Sequence, residues 1–549
     1  MTEQPRSIRR DRGDRQAGQV RTAPSAPAEP STPEPDEPTE PDGSTEQDES
    51  TERDGFAPTT AKTRRRLDRH VVGVTTITVA ATGVYTLLGL VRFYLYRATS
   101  LDLTLFDQTI RGFATLGAPT SPLRGVDLGV GVDFVQLGEH FSPILAVLAP
   151  FYWLHDGPET LIVAQAVLFA LAIPPIWVFT RRVLGTAPAY FVAVAYALSW
   201  PVAQSVNFDF HEVAFAPVLT ALVIERFHAG RRVAAAVAAV AFLLVKEDAG
   251  LMVAGFGCCL LVTRGRRLDG LGYLGLGILY TGLARGVLIP AVGGDPGLYW
   301  AYDELGKDVP EVLATALSDP LRVLKMLVSP QVKIDTWALL LWPALLTCLF
   351  SPLTLMALPQ ILERMLSDRA IWWGVDFHHS AFTVAVLLCA GVDGTARLLR
   401  WARRAWPDPR AGALAWAAGV CVVALTLVPR FPFDQLIRPE FYETHPDVVA
   451  AGQAVEMVPS GVAVEAVNHV GPHLSARTTV LLWNDRPPVA QWIVADTARG
   501  AYPWGSVDRQ RERVEELKAM GYEVVFDREG YVVLHRTDPP PGAQPTPTR

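Results

Sequence analysis

LIVAQAVLFALAIPPIWVFTRR, residues 161–182, decides the fold class of this chain. The run from Leu161 to Thr180 carries no charged residue and is long enough to cross the roughly 30 Å hydrocarbon core of a bilayer. Similar runs recur along the chain, which is 50% hydrophobic and 19% charged and has a mean hydropathy of +0.21. An average soluble chain carries about 25% charged residues. The sequence therefore predicts an all-α polytopic bundle in a membrane.

The basic residues predict which end of each span faces the cytoplasm, because Lys and Arg stay on the cytoplasmic side. Basic residues between Lys62 and Arg69 precede the first apolar run, 71–96, which places the N-terminus in the cytoplasm. The other predicted spans lie near 159–180, 186–204, 213–227, 233–245, 249–263, 271–290, 336–350, 351–366, 380–399 and 411–428. The count is about eleven transmembrane helices, and it leaves the C-terminus outside.

The apolar stretch 141–154 is short for a span, and its Tyr152 and Trp153 are typical of the membrane interface. We interpret it as an interfacial or re-entrant segment. The arginines at 181–182, 231–232 and 264–267 support this interpretation, because all of them then lie inside. In the alternative, with 141–154 as a full span, they would all face outward.

Composition predicts four regions and a multi-pass protein of the plasma membrane. Residues 1–60 are acidic and Pro-rich and bury too little apolar surface to fold, so we expect disorder there and in the Pro-rich tail 538–549. Residues 61–428 form the transmembrane domain, with outer-face loops at 97–158 and 291–335. Helix and strand patterns interleave in 429–537, which predicts a small extracytoplasmic α/β domain.

Short polar clusters at the ends of the apolar runs predict a site on the outer face. Ionisable groups are costly in a bilayer and rarely persist there without a partner or a task. One carboxylate in the first loop, Asp107, is a candidate general base. The candidate substrate-binding residues are His140, Asp209, His211, Glu212, Lys246, Glu247, Asp248 and His378.

Each candidate also has a structural interpretation. Asp107 is also typical of a solvated loop acid, because lone acids are common in loops. Asp209 and Glu212 suit a divalent cation, but they also suit the capping of the following helix. Lys246 suits a lipid phosphate or an internal salt bridge. No basic stripe indicates nucleic acid, and all five cysteines fall in apolar segments, which predicts neither a disulfide nor a thiolate metal site.

Longer motifs contain these clusters. They are LFDQTIRGFATLG from 105, LGEHFSPILAVLAPFYWL from 137, ALSWPVAQSVNFDFHEVAFAP from 197, LLVKEDAGL from 243, FHHSAF from 377 and VNHVGPHLSAR from 467. In this order they resemble a family of membrane proteins, domain-of-unknown-function family 2079, over residues 95–485. His379 stands where that family commonly has Tyr.

That family is in turn distantly similar to the GT-C glycosyltransferases. The resemblance implies that Asp107 occupies the position of the catalytic base, that 141–154 is juxtamembrane, and that the sugar donor is linked to polyprenyl phosphate. The acid pair usual in GT-C enzymes is not found, because Gln108 follows Asp107. The expected function is an inverting glycosyltransferase. The alternative is a non-catalytic carrier or assembly scaffold for envelope lipids or glycans, although we find no inverted halves typical of carriers.

Overall fold

The computed structural model describes residues 60–403 and 408–540, with side chains from Arg69 onward. Apart from the first residues of α1, everything described here belongs to one compact unit, residues 62–549. The predicted disorder of 1–60 and of the tail 538–549 falls almost wholly outside the described residues.

The first half of the described chain is helical. Its helices are α1 Thr60–Tyr94, α2 Leu105–Ala114, α3 Pro122–Leu128, α4 Ala149–Tyr152, α5 Glu159–Ala170, α6 Ile173–Val183, α7 Thr186–Ala197, α8 Trp200–Asn207, α9 Phe215–His228, α10 Arg232–Leu243, α11 Ala249–Leu261, α12 Arg267–Leu283 and α13 Ile289–Ala291. A five-residue π-helix, Ser100–Thr104, leads directly into α2. The polar clusters 209–212 and 246–248 lie between helices, as the sequence predicts.

Further helices complete the bundle. They are α14 Val309–Ser318, α15 Pro320–Val328, α16 Gln331–Leu341, α17 Thr354–Leu366, α18 Ala370–Trp373, α19 Ala381–Trp401 and α20 Pro409–Leu427. The segment 291–335, which the sequence predicts as a loop, therefore contains α14 and α15. Leu313, Leu317 and Leu321 on these two helices are exposed, which is consistent with apolar faces turned away from the rest of the protein.

Six helical segments within the described residues are long and apolar enough to cross a membrane. They are Arg69–Tyr94, Glu159–Val183, Thr186–Asn207, Arg267–Ala291, His378–Trp401 and Pro409–Arg430. The other predicted spans correspond to α9, α10, α11, α16 and α17, which have 11 to 14 residues. At about 1.5 Å per residue such helices are shorter than the hydrocarbon core. The count of eleven therefore stays a prediction.

The bundle packs around α19. The segment His378–Trp401 is 78% buried in its most apolar window, whereas Arg69–Tyr94 at the periphery is 22% buried. Hydroxyls inside the bundle donate to backbone carbonyls, since an unsatisfied polar group is costly there. Tyr85 donates to the carbonyl of Ala197 over 2.7 Å, and Tyr196 donates to that of Phe169 over 2.9 Å.

The stretch predicted as interfacial forms a short apolar helical segment, Pro143–Tyr152. Its length falls below that of a membrane span. The indole of Trp153, which follows it, donates to the carbonyl of Ala114 at the end of α2 over 2.8 Å. The segment therefore packs along the first loop, as expected of a juxtamembrane element.

The C-terminal domain contains a five-stranded sheet within residues 463–535. Its elements are α21 Pro446–Met457, β1 Ala463–Ala466, β2 Thr479–Leu482, β3 Trp492–Asp496, α22 Val507–Ala519, β4 Glu523–Arg528 and β5 Tyr531–His535. The strand order is β2-β1-β3-β5-β4, with β1 parallel to β2 and β3 and with β5 antiparallel to its neighbours. The patterning predicts the other strands but misses β2, a four-residue buried run with too few positions to show a period.

Candidate functional site

A cavity of about 330 Å³ lies where the ends of several helices meet the first loop. Most of the predicted polar clusters reach it, although they are far apart in sequence. Its ionisable lining residues are Asp102, Arg124, Glu139, His140, His211, Glu212, Lys246, Glu247, Asp248, Arg285, Glu363, Arg364, His378 and His379. Of the residues predicted from the sequence, Asp107 and Asp209 are not part of this lining.

Asp102, which the sequence analysis does not single out, supplies the carboxylate of the first loop. It lies on the π-helix before α2, and its Oδ1 is 3.0 Å from Nε2 of His211. The side chain of Asp102 is 22% exposed, whereas that of His211 is 6% exposed. The ring of His378 stacks on the ring of His211 with a centroid distance of 3.6 Å. The carboxylate is thus oriented by an imidazole and remains accessible from the cavity.

The pKa of His211 reflects this contact. Burial favours the neutral ring, but the charge of Asp102 and its hydrogen bond, with Glu212 and Asp209 nearby, outweigh burial and raise the pKa of His211. Nδ1 of His211 is buried without a hydrogen-bond partner among the described residues.

The clusters 209–212 and 246–248 are joined by an ion pair. Nζ of Lys246 lies 3.4 Å from Oε1 of Glu212. Burial opposes the charge on Lys246, but Glu212, Asp248 and Glu247 outweigh it and raise the pKa of Lys246. Glu247 accepts from the amide of Phe141 over 3.1 Å and contacts Nδ1 of His140 over 2.9 Å. Lys246 is therefore committed to a carboxylate, as in the salt-bridge interpretation of its sequence pattern.

Another wall of the cavity is built on Glu139. Arg124 donates to Glu139 from Nε over 2.7 Å, and Gln136 donates to it over 2.6 Å. The hydroxyl of Tyr299 also donates to Glu139. The ring of Tyr299 stacks on His140 at 4.7 Å, which fixes the loop after α13 against the first loop. Burial opposes the charge on Glu139, but Arg124, His140 and these hydrogen bonds lower the pKa of Glu139.

Arg364, near the end of α17, has no carboxylate partner within the residues that the structure describes. It is 4% exposed. Its donors reach neutral acceptors: Nε donates to the carbonyl of Trp372 over 3.0 Å, Nη1 to Oγ of Ser380 over 3.1 Å, and Nη2 to the carbonyl of Gly374 over 2.9 Å. By contrast, Arg285 pairs with Glu363 at 3.7 Å. Arg364 is thus a buried positive charge at the cavity without a compensating negative one.

Several acceptor oxygens at the cavity lack a hydrogen-bond donor within the described chain. Among them are Oε2 of Glu212, Oδ1 of Asp248 and Oε1 of Gln360. Glu212 and Asp248 are only 2% and 7% exposed. Leaving buried acceptors unpaired is costly, so this part of the cavity suits a ligand rich in hydrogen-bond donors.

Asp107 lies away from the cavity and is fully buried. Its carboxylate accepts from the hydroxyl of Tyr152 over 2.8 Å and from Nη2 of Arg111 over 2.9 and 3.1 Å. Arg111 also pairs with Asp156. The solvated loop acid of the structural interpretation is therefore wrong, because Asp107 ties α2 to α4. Its predicted role as the base gains no support from this geometry, since both oxygens are engaged.

Asp209 is also outside the cavity lining. Its Oδ2 accepts from the amide and the hydroxyl of Thr99, each over 2.8 Å, and Arg92 lies 3.9 Å from its Oδ1. Burial raises the pKa of Asp209, against the opposing charge of Arg92. The helix-capping interpretation is wrong for Asp209, because α9 begins only at Phe215. Asp209 instead fixes the start of the first loop.

A metal ion is not supported by the described side chains. Within residues 60–403 and 408–540, no group of three or more His, Cys, Asp or Glu side chains is arranged to hold one. Asp209 and Glu212, the predicted pair, engage different cations, Arg92 and Lys246. The five cysteines are free, and all but Cys258 are buried.

These features define a class: a helical membrane protein with a buried polar cavity beside its C-terminal α/β domain. The chain belongs to the family described as predicted membrane protein (DUF2079), whose model matches residues 92–533. The matched region includes all the cavity residues and the sheet. The resemblance carried by the sequence motifs is thereby confirmed.

Comparison with curated proteins finds no match. Among solved structures, ArnT from Cupriavidus metallidurans bound to undecaprenyl phosphate is 13% identical, with a TM-score of 0.47 over 86% of this chain and 99% of that chain. The Archaeoglobus fulgidus oligosaccharyltransferase in complex with Zn and sulfate is 11% identical, with a TM-score of 0.37 over 75% and 68%. AglB from the same organism, with an inhibitory peptide and a dolichol-phosphate, is 10% identical, with a TM-score of 0.37 over 77% and 69%. TM-scores this low establish neither a shared fold nor a shared activity.

Proposed function

We propose that the cavity is the active site of an inverting glycosyltransferase that takes its sugar from a polyprenyl-phosphate-linked donor at the extracytoplasmic face of the plasma membrane. One observation carries the proposal. Within the described residues, the cavity holds a carboxylate oriented by an imidazole, Asp102 with His211, and a buried guanidinium without a carboxylate, Arg364. A base and an anion site are the two groups that such a transfer needs.

The reaction assigns one role to each group. Asp102 takes the proton of an acceptor hydroxyl, and the acceptor oxygen forms a bond to the anomeric carbon of the donor sugar. The bond between that carbon and the phosphate oxygen breaks, so the polyprenyl phosphate leaves with an additional negative charge. Arg364 stabilises this charge, which develops in the transition state. We assign the base to Asp102 rather than Asp107, because Asp107 is bonded to Arg111 and Tyr152.

The charge pattern supports a phosphate at Arg364. A buried charge without a partner is costly, and a ligand of opposite charge removes that cost. The other cations of the cavity lie beside carboxylates: Arg124 with Glu139, Lys246 with Glu212, and Arg285 with Glu363. Among the described lining residues, Arg364 is the cation that has no carboxylate beside it and is therefore available to an anionic ligand.

The unpaired acceptors support a sugar in the same cavity. Glu212, Asp248 and Gln360 each present a buried oxygen without a donor. Sugar hydroxyls can each donate a hydrogen bond to such an oxygen. A volume of about 330 Å³ is at the small end of the range for ligand pockets, which begins at about 300 Å³.

The surroundings of Arg364 suit a lipid-linked donor. Ile371, Trp372 and Phe377 also line the cavity, and Ile371 on α18 is 56% exposed. This apolar side offers a path by which a polyprenyl chain stays in the bilayer while its phosphate reaches Arg364. The arginine pattern supports the outer face as the location of this end of the bundle.

The test compares a strain that lacks this chain with its complemented parent. Envelope glycans and lipid-linked sugars are measured by mass spectrometry. We expect one glycan modification to disappear and its lipid-linked donor to accumulate. Unchanged glycans and unchanged donors would contradict a transferase. Displacement of both lipid and sugar across the membrane, without loss of a transfer step, would favour the carrier instead.

A further inference from the structure

The C-terminal domain contacts the first loop beside the cavity through the segment that follows β1. The backbone carbonyl of Asn468 accepts from the amide of Ser100 over 2.6 Å and from its hydroxyl over 2.8 Å. Oδ1 of Asn468 accepts from the amide of Leu101 over 3.1 Å. These residues immediately precede Asp102, so a side chain of the C-terminal domain fixes the backbone that carries the cavity carboxylate.

The same stretch is held from the transmembrane side. Thr99, directly before Ser100, donates its amide and its hydroxyl to Asp209. Together, Asp209 and Asn468 therefore hold three consecutive residues, 99–101, by hydrogen bonds. Within the described chain, the side-chain contacts of Asp102 are with His211 at 3.0 Å and with the hydroxyl of Thr99 at 3.3 Å, and this hydroxyl lies closer to Asp209, at 2.8 Å. The position of Asp102 consequently depends on how firmly the preceding residues are held.

The fit around Asn468 leaves little room for movement. A Cβ atom at Gly471 would lie 2.0 Å from Oγ of Ser100, so this position tolerates no side chain without a shift. The ring of His473 stacks on Phe93 at 4.2 Å and on Tyr96 at 3.9 Å. Nε2 of His473 lies 2.9 Å from the carbonyl of Phe93 at the end of α1. The segment 468–473 thus packs against both the end of α1 and the start of the first loop.

We propose that Asn468 is a positioning residue: it holds the backbone before Asp102 and thereby sets the position of the Asp102 carboxylate. The C-terminal domain thus contributes to the geometry of the active site. The inference rests on the proposed function, in which Asp102 is the base. Within the described chain, Oδ1 of Asn468 accepts one hydrogen bond, from the amide of Leu101. Loss of this oxygen therefore frees the amide of Leu101, next to Asp102, without removing a hydrogen bond internal to the C-terminal domain.

The test uses the purified full chain with Asn468→Ala, Asn468→Asp and Asn484→Ala. Asp at 468 keeps an acceptor oxygen, which makes it the conservative variant. Asn484 is the matched control, since it is equally buried in the same domain and accepts from the amide of Arg486 instead of the first loop. Three quantities are measured: hydrogen exchange of the Leu101 amide, retention of added polyprenyl phosphate, and glycan transfer in complemented cells.

We expect Asn468→Ala to speed exchange at Leu101 about tenfold, as loss of one hydrogen bond implies, and to reduce transfer by at least about tenfold. Retention of polyprenyl phosphate should stay unchanged, because Arg364 is untouched. Asn468→Asp should restore exchange and transfer, and Asn484→Ala should alter neither. Unchanged exchange in Asn468→Ala, or faster exchange with full transfer, would overturn the inference. Absence of transfer by the unsubstituted chain would instead reject the proposed function, and the exchange measurement would still decide whether Asn468 holds the loop.

Discussion

At the scale of single residues, burial and partners separate the two aspartates of the first loop. Asp102 faces the cavity with an imidazole beside it, whereas Asp107 is fully buried between Arg111 and Tyr152. A general base needs an oxygen within reach of the proton that it removes. Of the two, Asp102 lines the cavity, whereas Asp107 holds α2 to α4.

Asp107→Asn should lower stability more than it lowers the intrinsic transfer rate. The amide keeps the shape but removes the charge that faces Arg111, which is only 17% exposed. We expect the free energy of unfolding to fall by about 1 to 3 kcal/mol, as for a disrupted buried ion pair. Thermal unfolding of the purified protein checks this. Asp156→Asn is the control: Asp156 is 56% exposed, so its substitution should lower the free energy of unfolding only a little. Unchanged stability with abolished transfer would return the base role to Asp107.

Arg364→Gln should weaken the binding of polyprenyl phosphate by about 10- to 100-fold, the usual contribution of hydrogen bonds to a charged group. Native mass spectrometry of the purified protein with added polyprenyl phosphate measures the retained lipid. Arg397→Gln is the control, since Arg397 already pairs with Asp393 at 2.7 Å. Equal retention by the two variants would contradict an anion site at Arg364.

At the scale of elements, the sequence predicts where the site is assembled better than which atoms form it. Charged residues at helix junctions are costly in a bilayer, so 211–212 and 246–248 stand out and indeed meet at the cavity. Arg364 lies inside the helical pattern of α17, where an arginine near a helix end is ordinary. Asp102 is in a segment whose π-helical form no periodicity reveals. Their roles follow only from contacts between distant segments.

We expect Glu465 on β1 to make the stability of the C-terminal domain depend on pH. Burial raises the pKa of Glu465 to about 7, against the opposing amides of Val489 and Ala490 and the charge of Arg513. A carboxyl group whose folded pKa exceeds its ordinary value destabilises the fold once it ionises. Stability should therefore fall as pH rises from about 4.5 to about 7, by up to about 3 kcal/mol.

Glu465→Gln should remove this fall, because the amide oxygen can still accept from Val489 and Ala490 while carrying no charge. The measurement is the unfolding temperature of the full chain in nanodiscs at about pH 5 and about pH 8. Glu523→Gln, on the exposed strand β4, should keep the pH dependence of the unsubstituted protein. If Glu465→Gln kept the same pH dependence as the unsubstituted protein, Glu465 would be excluded as the source of that dependence.

At the scale of the whole molecule, composition predicts a helical membrane protein with a C-terminal sheet, and these broad features are found. The number of spans is harder to predict. Hydropathy marks α9, α10 and α11 as apolar, but it does not reveal that each stops short of the length a bilayer requires. Where a helix ends is set by tertiary contacts such as those of the polar cavity, which no local window contains.

The arginine pattern predicts that the cavity and the C-terminal domain face outward. Cysteines introduced at Val130 and Glu523, both exposed, should react with an impermeant thiol reagent in intact cells. A cysteine at the exposed Arg231 should react only after permeabilisation. The native cysteines should contribute little background, since four are buried and Cys258 is half-buried. The reverse labelling pattern would place the cavity on the cytoplasmic side.

The most direct test of the central claim is Asp102→Asn in the complemented deletion strain, with the lipid-linked donor and the glycan product both measured by mass spectrometry. We predict normal protein abundance and lipid binding, accumulation of the donor, and a loss of transfer by about two to four orders of magnitude, the usual contribution of general-base catalysis. Full restoration of the glycan by Asp102→Asn would contradict the claim that this cavity performs the transfer.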